Sequence, residues 1–343
     1  MSVIWVHFAA IGAAAFCASA VVVMLARLWA THKEILDHPN ERSSHSMPTP
    51  RGGGVGIVVV VVAGMLLLDG ASMARLWPWL AAAAAISAVG LLDDIYGLST
   101  TLRMTLQLLA AIGATLAYGS VSALSSAIRF GPLAGVLTVL WIIGLTNAFN
   151  FMDGIDGIAG GQAAMAGAAW AAIGYGRGDT VLVDVGLLIA AASAGFLLHN
   201  WPPARIFMGD VGSTFLGYTL AVMALFGDAG PRDALVPALV VWPFLFDSAF
   251  TFLRRLRKRE NVFAAHRSHL YQRLTMAGWS HAQASLLYTA LAAVGAAGAA
   301  GIDRGAAAPA AVIVAVAVLA VGLWLLTVRV EGSRRRSPFG TVS

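Results

Sequence analysis

Gly56-Ile57-Val58-Val59-Val60-Val61-Val62-Ala63-Gly64-Met65-Leu66-Leu67-Leu68 is apolar at every position. A strand of a membrane barrel would alternate apolar and polar residues, so this run reads as a helix in an apolar medium. A helix needs roughly 20 apolar residues to cross the hydrocarbon core. The apolar runs give eleven candidate spans: 3–30, 52–69, 76–92, 104–119, 132–149, 158–176, 181–199, 213–227, 235–253, 282–301 and 308–327. The shortest is 213–227. Lys and Arg number 22 and Asp and Glu 17 in 343 residues, or 11% charged, against about 25% in a soluble domain. With 59% hydrophobic residues and a mean hydropathy of +0.78, this excludes a soluble enzyme, a disordered chain and a disulfide-stapled secreted domain. The expectation is an all-α polytopic integral membrane protein of 10–11 helices, with one transmembrane domain over 1–343. Ala18-Ser19-Ala20 looks like a signal-peptide cleavage site. No basic region precedes it and the apolar run continues past it, so the first span reads as an uncleaved anchor.

Orientation follows from basic residues in the loops. The loops 27–51, 93–103, 150–157, 200–212 and 254–281 and the tail from 328 hold 17 of the 22 Lys and Arg. The opposite loops hold only Arg75, Arg129, Arg177, Arg232 and Arg304. The basic side is expected to be cytoplasmic, with the N-terminus periplasmic and 328–343 a basic cytoplasmic tail. The pI of 9.8 then reflects these loops and not nucleic-acid binding. The run Arg254-Arg255-Leu256-Arg257-Lys258-Arg259 reads as a topology signal touching anionic lipid, with binding of a nucleotide or lipid phosphate as the alternative. Cys17 is alone, and no Walker A, GxGxxG or HExxH pattern occurs.

The same count places the chemically dense segments together. Loops 31–54, 93–103, 146–157, 200–213 and 254–281 all fall on the cytoplasmic side, where they can share one site. Asp93-Asp94 ends a span; carboxylates are unfavourable at a helix C-terminus, and two side by side repel unless they share a cation or a proton relay. Asn147, Asn150, Asp153 and Asp156-Gly157 recur every three residues, with Asp-Gly steps that suggest turns close to a ligand. An EF-hand's ligand order and its terminal Glu are missing. Met208-Gly209-Asp210-Val211-Gly212-Ser213 sets one carboxylate between glycines before a span, suited to a metal-bound phosphate or to an N-cap. Pro48-Thr49-Pro50-Arg51-Gly52-Gly53-Gly54 reads as an anion cradle or as close helix packing. His266 and His269, spaced by three among arginines, suit phosphate better than zinc, since no Cys or third His is near. Asp247 lies inside the ninth span, where a charge is costly and by default functional; the competing explanation is a partner for a nearby Arg.

Taken in order, Pro-Thr-Pro-Arg-Gly-Gly-Gly, Leu-Asp-Asp, Asn-x-x-Asn-x-x-Asp-Gly-x-Asp-Gly, Met-Gly-Asp-x-Gly-Ser and the histidine loop resemble the polyprenyl-phosphate N-acetylhexosamine-1-phosphate transferase superfamily (glycosyltransferase family 4). The resemblance runs from about residue 37 to 279. Asp37-His38-Pro39-Asn40-Glu41-Arg42-Ser43-Ser44-His45 and Ala265-His266-Arg267-Ser268-His269-Leu270-Tyr271 look like the O-antigen-initiating branch. The phospho-N-acetylmuramoyl-pentapeptide transferases of peptidoglycan synthesis carry a tight histidine triplet, which Arg267 and Ser268 interrupt here; that substrate is the alternative.

The resemblance implies a bacterial inner-membrane enzyme with its site on the cytoplasmic face. Undecaprenyl phosphate would attack the β-phosphorus of a UDP-N-acetylhexosamine (GlcNAc or a 6-deoxy relative), releasing UMP and starting lipid-linked polysaccharide synthesis. It also implies a Mg2+ cofactor, with Mn2+ as an alternative ion, and a homodimer. By resemblance Asp210 is the main metal ligand, with Asp93 and Asp94 beside it, and Asp93 deprotonates or orients the lipid phosphate. Asn150, Asp153, Asp156 and Asn200 would hold the nucleotide and the metal's surroundings. Arg51, His266, Arg267 and His269 would contact diphosphate or sugar. The rival from another class is a transporter or flippase of an anionic lipid-linked substrate, which should show midplane polar residues and broken helices in paired halves.

Overall fold

The computed structural model describes residues 2–39, 47–68, 73–120, 131–226, 234–261 and 266–336. Of the stretches quoted above, residues 40–45 and 265, the tail beyond 336, Arg129 and Arg232 lie outside the described residues. Among the described residues thirteen helices follow one another. They are α1 (Ser2–His32), α2 (Val55–Leu68), α3 (Met73–Tyr96), α4 (Thr100–Tyr118), α5 (Gly131–Met152), α6 (Ile158–Arg177) and α7 (Thr180–Asn200). Then come α8 (Asp210–Met223), α9 (Leu235–Val240), α10 (Trp242–Arg257), α11 (Leu270–Met276), α12 (His281–Asp303) and α13 (Pro309–Arg336). Two short strands, β1 (Leu36–Asp37) and β2 (Thr49–Pro50), pair antiparallel ahead of α2.

Among the described residues six helices are long and apolar enough to cross a membrane: Ile4–His32, Ala74–Tyr96, Leu133–Met152, Thr180–Asn200, His281–Asp303 and Pro309–Arg334. Val55–Leu68 is a shorter apolar helix. The chain is an all-α multi-pass membrane protein. Apolar side chains on α1, α4 and α13, among them Leu28, Leu116 and Val318, stay exposed as lipid-facing residues do.

Ten of the eleven predicted spans each meet one helix, and two runs differ from expectation. The 213–227 run is α8, buried at every residue from Val211 to Met223 between α3 and α5. At about 1.5 Å per residue its 14 residues are shorter than the hydrocarbon core, so it is a central helix wrapped by others. The 235–253 run is not one helix but α9 and α10, broken at Val241 ahead of Pro243. The freed carbonyl of Val240 accepts from Gln162 Nε2 at 3.0 Å, and Trp242 Nε1 donates to Leu291 O at 2.9 Å. A break at such depth stands because protein groups satisfy the backbone.

Small residues bring α6 and α7 into backbone contact. A Cβ on Gly186 would lie 2.5 Å from Ala171 N, and one on Gly167 would lie 2.6 Å from Ala190 N. Gly186→Ala is therefore expected to cost about 1–3 kcal/mol, read as a lower melting temperature in detergent. Gly113→Ala, whose Cβ meets nothing within 4 Å, should hold or raise it by up to about 1 kcal/mol. Equal melting of the two variants would contradict the close packing.

Candidate active site

The adjacent carboxylates Asp93 and Asp94 end α3, and they diverge onto different partners. Asp94 is buried and aims at the start of α8, where its oxygens accept from the backbone N–H of Asp210 at 3.0 Å and of Val211 at 3.2 Å. These are orphan donors of a helix's first turn, at its positive end. The approach requires Gly90 and Gly209: a Cβ on Gly90 would sit 2.6 Å from Asp210 O, and Gly209 has φ +75. Asp93 turns to α4. Its Oδ1 accepts from Leu98 N–H at 2.6 Å, and its Oδ2 lies 2.7 Å from Arg103 Nη1. The same Nη1 lies 2.6 Å from Asp210 Oδ2, so one guanidinium bridges two carboxylates. The repulsion expected of Asp93 and Asp94 is relieved by a cation on one side and a helix start on the other.

Asn150 completes this centre from α5. Its Nδ2 donates to Asp210 Oδ2 at 3.3 Å, and its Oδ1 accepts from the Ser213 hydroxyl at 3.1 Å. Arg51 Nε lies 3.4 Å from Asp94 Oδ1. The anion-cradle reading of Gly52-Gly53-Gly54 does not hold for its last two residues. The N–H groups of Gly53 and Gly54 donate to Phe207 O and Met208 O at 2.9 and 2.8 Å, and a Cβ on Gly54 would fall on Gly212 Cα. That motif packs the 206–208 segment and α8 against α2, and places Arg51 beside Asp94.

Asp153 lies half-buried just past α5. Desolvation and the neighbouring charges of Asp210 and Asp94 push its carboxyl well above the usual carboxylate range. Asp156, one turn further on, and Asn200, at the end of α7, pair with protein. Asp156 Oδ2 accepts from Ala204 N–H at 3.0 Å, and its Oδ1 lies 3.2 Å from His281 Nδ1. Buried Asn200 accepts from Gly157 N–H at 2.9 Å and donates to Ile206 O at 3.0 Å. Both ends of its amide are thus committed to the two loops that carry Asp153 and Asp210, which makes Asn200 a positioning residue where a nucleotide contact was expected.

The histidine loop joins from the far side. The Tyr271 hydroxyl donates to Phe151 O at 2.9 Å, tying the start of α11 to the end of α5. His269 is buried, its ring 5.0 Å from that of His266. Burial, His269 and Arg255 push the His266 imidazole down to about 4, so it is neutral at pH 7. Arg267 lies near enough for its charge to act on the Tyr271 hydroxyl. In the basic run, Arg254 donates to Ser268 O at 3.0 Å and Arg255 to the Ser268 hydroxyl at 3.4 Å; two of its five cations therefore brace the histidine loop.

The structure thus brings Asp93, Asp94, Asp210, Asn150, Asp153 and Arg51 into one cluster, with His266, Arg267 and His269 on the adjoining loop. The three-carboxylate metal set expected of Asp93, Asp94 and Asp210 is not assembled. Among the described residues no group of three or more His, Cys, Asp or Glu is arranged to hold a metal ion, because Asp94 is turned to the α8 backbone. Asp93 and Asp210 remain around the position of a cation, that of Arg103. Mg2+ is commonly held by one or two carboxylates plus substrate phosphates, so this donor set fits it. Nε of Arg51 faces Asp94 and that of Arg103 is buried, so the two guanidiniums bring positive charge into the acidic centre. Sequence reading missed Arg103 and Tyr271. The available signal was that Arg103 is the one cation in the loop following two carboxylates.

Asn200→Ala leaves Gly157 N–H and Ile206 C=O without their side-chain partners, and a loss of about 1–3 kcal/mol is expected. Thermal melting in detergent checks it; an unchanged midpoint would contradict the positioning role.

Residues 76–228, which run from α3 through α8, match the model of glycosyl transferase family 4. A probable undecaprenyl-phosphate N-acetylglucosaminyl 1-phosphate transferase of Bacillus subtilis (strain 168) is 34% identical over 260 residues, 74% of this chain and 73% of that protein. The undecaprenyl-phosphate alpha-N-acetylglucosaminyl 1-phosphate transferase of Salmonella typhi is 30% identical over 295 residues, 81% and 79% of the two chains. The decaprenyl-phosphate N-acetylglucosaminephosphotransferase of Mycobacterium leprae is 28% identical over 296 residues, 75% and 74%. Since the aligned stretches extend well beyond the family match and cover most of each protein, the chain belongs to glycosyl transferase family 4.

Proposed function

We propose that this chain transfers an N-acetylhexosamine 1-phosphate, with GlcNAc 1-phosphate the first to test, from a UDP-sugar to undecaprenyl phosphate and releases UMP. The observation that carries the reading is the Arg103 bridge between Asp93 and Asp210, flanked by Arg51 beside Asp94. Such a centre alternates acidic and basic groups, as two anionic reactants need. A phosphate oxygen of the lipid attacks the β-phosphorus. The bond from that phosphorus to the bridging oxygen breaks, and UMP leaves with that oxygen.

Asp93 and Asp210 would hold Mg2+ together with the donor's phosphates; the ion, when bound, supplies charge screening for the transferring phosphoryl group. Arg103 and Arg51 bind phosphate oxygens. Asp93, beside the entering lipid phosphate, orients it. A phosphate's second pKa is near 6, so much of the lipid is already dianionic at pH 7, and orientation is the larger part of that role. Asn150 keeps Asp210 in place. His266, Arg267 and His269 contact the diphosphate or the sugar.

The site is placed on the cytoplasmic face of the inner membrane, on the basic-loop count and because nucleotide sugars are cytoplasmic. A homodimer is part of the reading, tested by the mass of the purified particle. The relatives' names do not favour the muramoyl-pentapeptide alternative. A transporter should show paired helix breaks; among the described residues the α9–α10 break has no counterpart of its kind, and the carboxylate of Asp247 is bound within the protein.

Purified protein with UDP-GlcNAc and undecaprenyl phosphate is expected to release UMP only with Mg2+ or Mn2+. Asp93→Asn and Asp210→Asn should each lower turnover by about 10²-fold or more with unchanged folded yield. Retention of more than about a tenth of the activity would contradict their roles, and no UMP from any UDP-N-acetylhexosamine would contradict the reaction.

A further inference from the structure

Asp247 is fully buried on α10 and takes no part in the chemistry described so far. Five donors converge on it. Oδ1 accepts from Leu270 N–H at 2.8 Å and the Thr251 hydroxyl at 3.1 Å, and lies 3.3 Å from His269 Nδ1. Oδ2 accepts from Tyr271 N–H at 3.2 Å and the Tyr288 hydroxyl at 2.6 Å. The bonds come from α10 itself, the first turn of α11 and α12. The Arg partner that a buried carboxylate invites is replaced by backbone, hydroxyl and imidazole donors.

We propose that Asp247 is a positioning residue for the transfer, fixing His269 in the Nδ1–H tautomer and holding its ring beside the end of α5, so that Nε2 is the atom offered to substrate. The proposal rests on the reading of His269 as a group that contacts the donor.

The tautomer follows from the donor count. An ionised carboxylate only accepts, and four of its five neighbours are donors whatever His269 does. A ring nitrogen 3.3 Å from such an oxygen carries the proton, and the other nitrogen is set by that bond. The ring is further fixed by Tyr271, stacked at 5.8 Å with an interplanar angle of 22°, and by Phe151 at 6.5 Å. Phe151 is also the residue whose carbonyl binds the Tyr271 hydroxyl, so the same contacts that hold His269 register α11 against the loop of Asp153. An amide in place of the carboxylate cannot do this. Its NH2 would face at least one donor, leaving buried groups unpaired.

Two measurements on the full-length protein test the idea. In 15N-histidine spectra of the protein in nanodiscs, the signal absent from His269→Ala should report an Nδ1–H imidazole in the wild type. Asp247→Asn should convert it to a mixed or Nε2–H form; an unchanged tautomer would overturn the proposal. In the UMP-release assay, Asp247→Asn is expected to lower kcat by about 10–100-fold, the usual effect of removing a partner behind a working histidine, while KM for UDP-GlcNAc moves much less. The double variant with His269→Ala should be no slower than His269→Ala alone. Losses that multiply would mean that Asp247 acts through the fold at large, and would overturn the proposal. If Asp247→Asn does not fold, Tyr288→Phe removes one donor at lower risk; a few-fold loss of kcat that vanishes beside His269→Ala supports the proposal, and no loss or a multiplying loss overturns it. Absence of turnover in the wild type would sink the transferase reading, and the tautomer spectrum would still decide the role of Asp247.

Discussion

The site depends on the hydrogen bonds from Asp210 N–H and Val211 N–H to Asp94. A carboxylate is costly to bury in the helical interior, and this one is stabilised by the first-turn donors of a helix that itself lies wholly inside the protein. The pairing works in both directions. It satisfies Asp94, and it fixes the start of α8 so that the Asp210 side chain projects toward α4 and α5, where Arg103 and Asn150 meet it. Gly90 and Gly209 permit the approach. Loss of that contact would leave a buried charge and free N–H groups together, and the position of Asp210 would no longer be determined.

Behind the reactive cluster lies a layer of polar groups paired with protein partners. Asn200 links the loops before α6 and α8, Asp156 holds Ala204 and faces His281, and Arg273 makes a two-pronged pair with Glu331 on α13 at 2.7 Å. In an apolar medium every such group needs an internal partner. The same requirement that confines polar residues to one end of the bundle therefore makes them brace each other there.

The helices were legible because their signal is one of composition: runs such as 56–68 are apolar in any order of residues. The α9–α10 break was not, since the partner that makes it tolerable, Gln162, lies on a helix far away in sequence. At the site, residue types and loop clustering identified Asp93, Asp210, Asn150 and Asp153 as neighbours-to-be, because adjacent or regularly spaced polar residues at span ends are conspicuous. What sequence could not divide was the labour among them. Asp93 and Asp94 look alike in a chain, and only the direction of each side chain separates the carboxylate that faces Arg103 from the helix anchor. Arg103 was hidden by being a single ordinary cation, and the glycines of 52–54 by having two physical uses.

In the proposed reaction Asp93 and Asp210 would hold the cation only together with the donor's diphosphate, with Arg103 on the phosphate oxygens. Electron paramagnetic resonance of Mn2+ titrated into the purified protein tests it most directly. The account predicts weak Mn2+ binding by the protein alone, near one bound ion per chain once UDP-GlcNAc is added, and loss of that ion in Asp210→Asn. Tight binding without nucleotide, or nucleotide-dependent binding unaffected by Asp210→Asn, would contradict it.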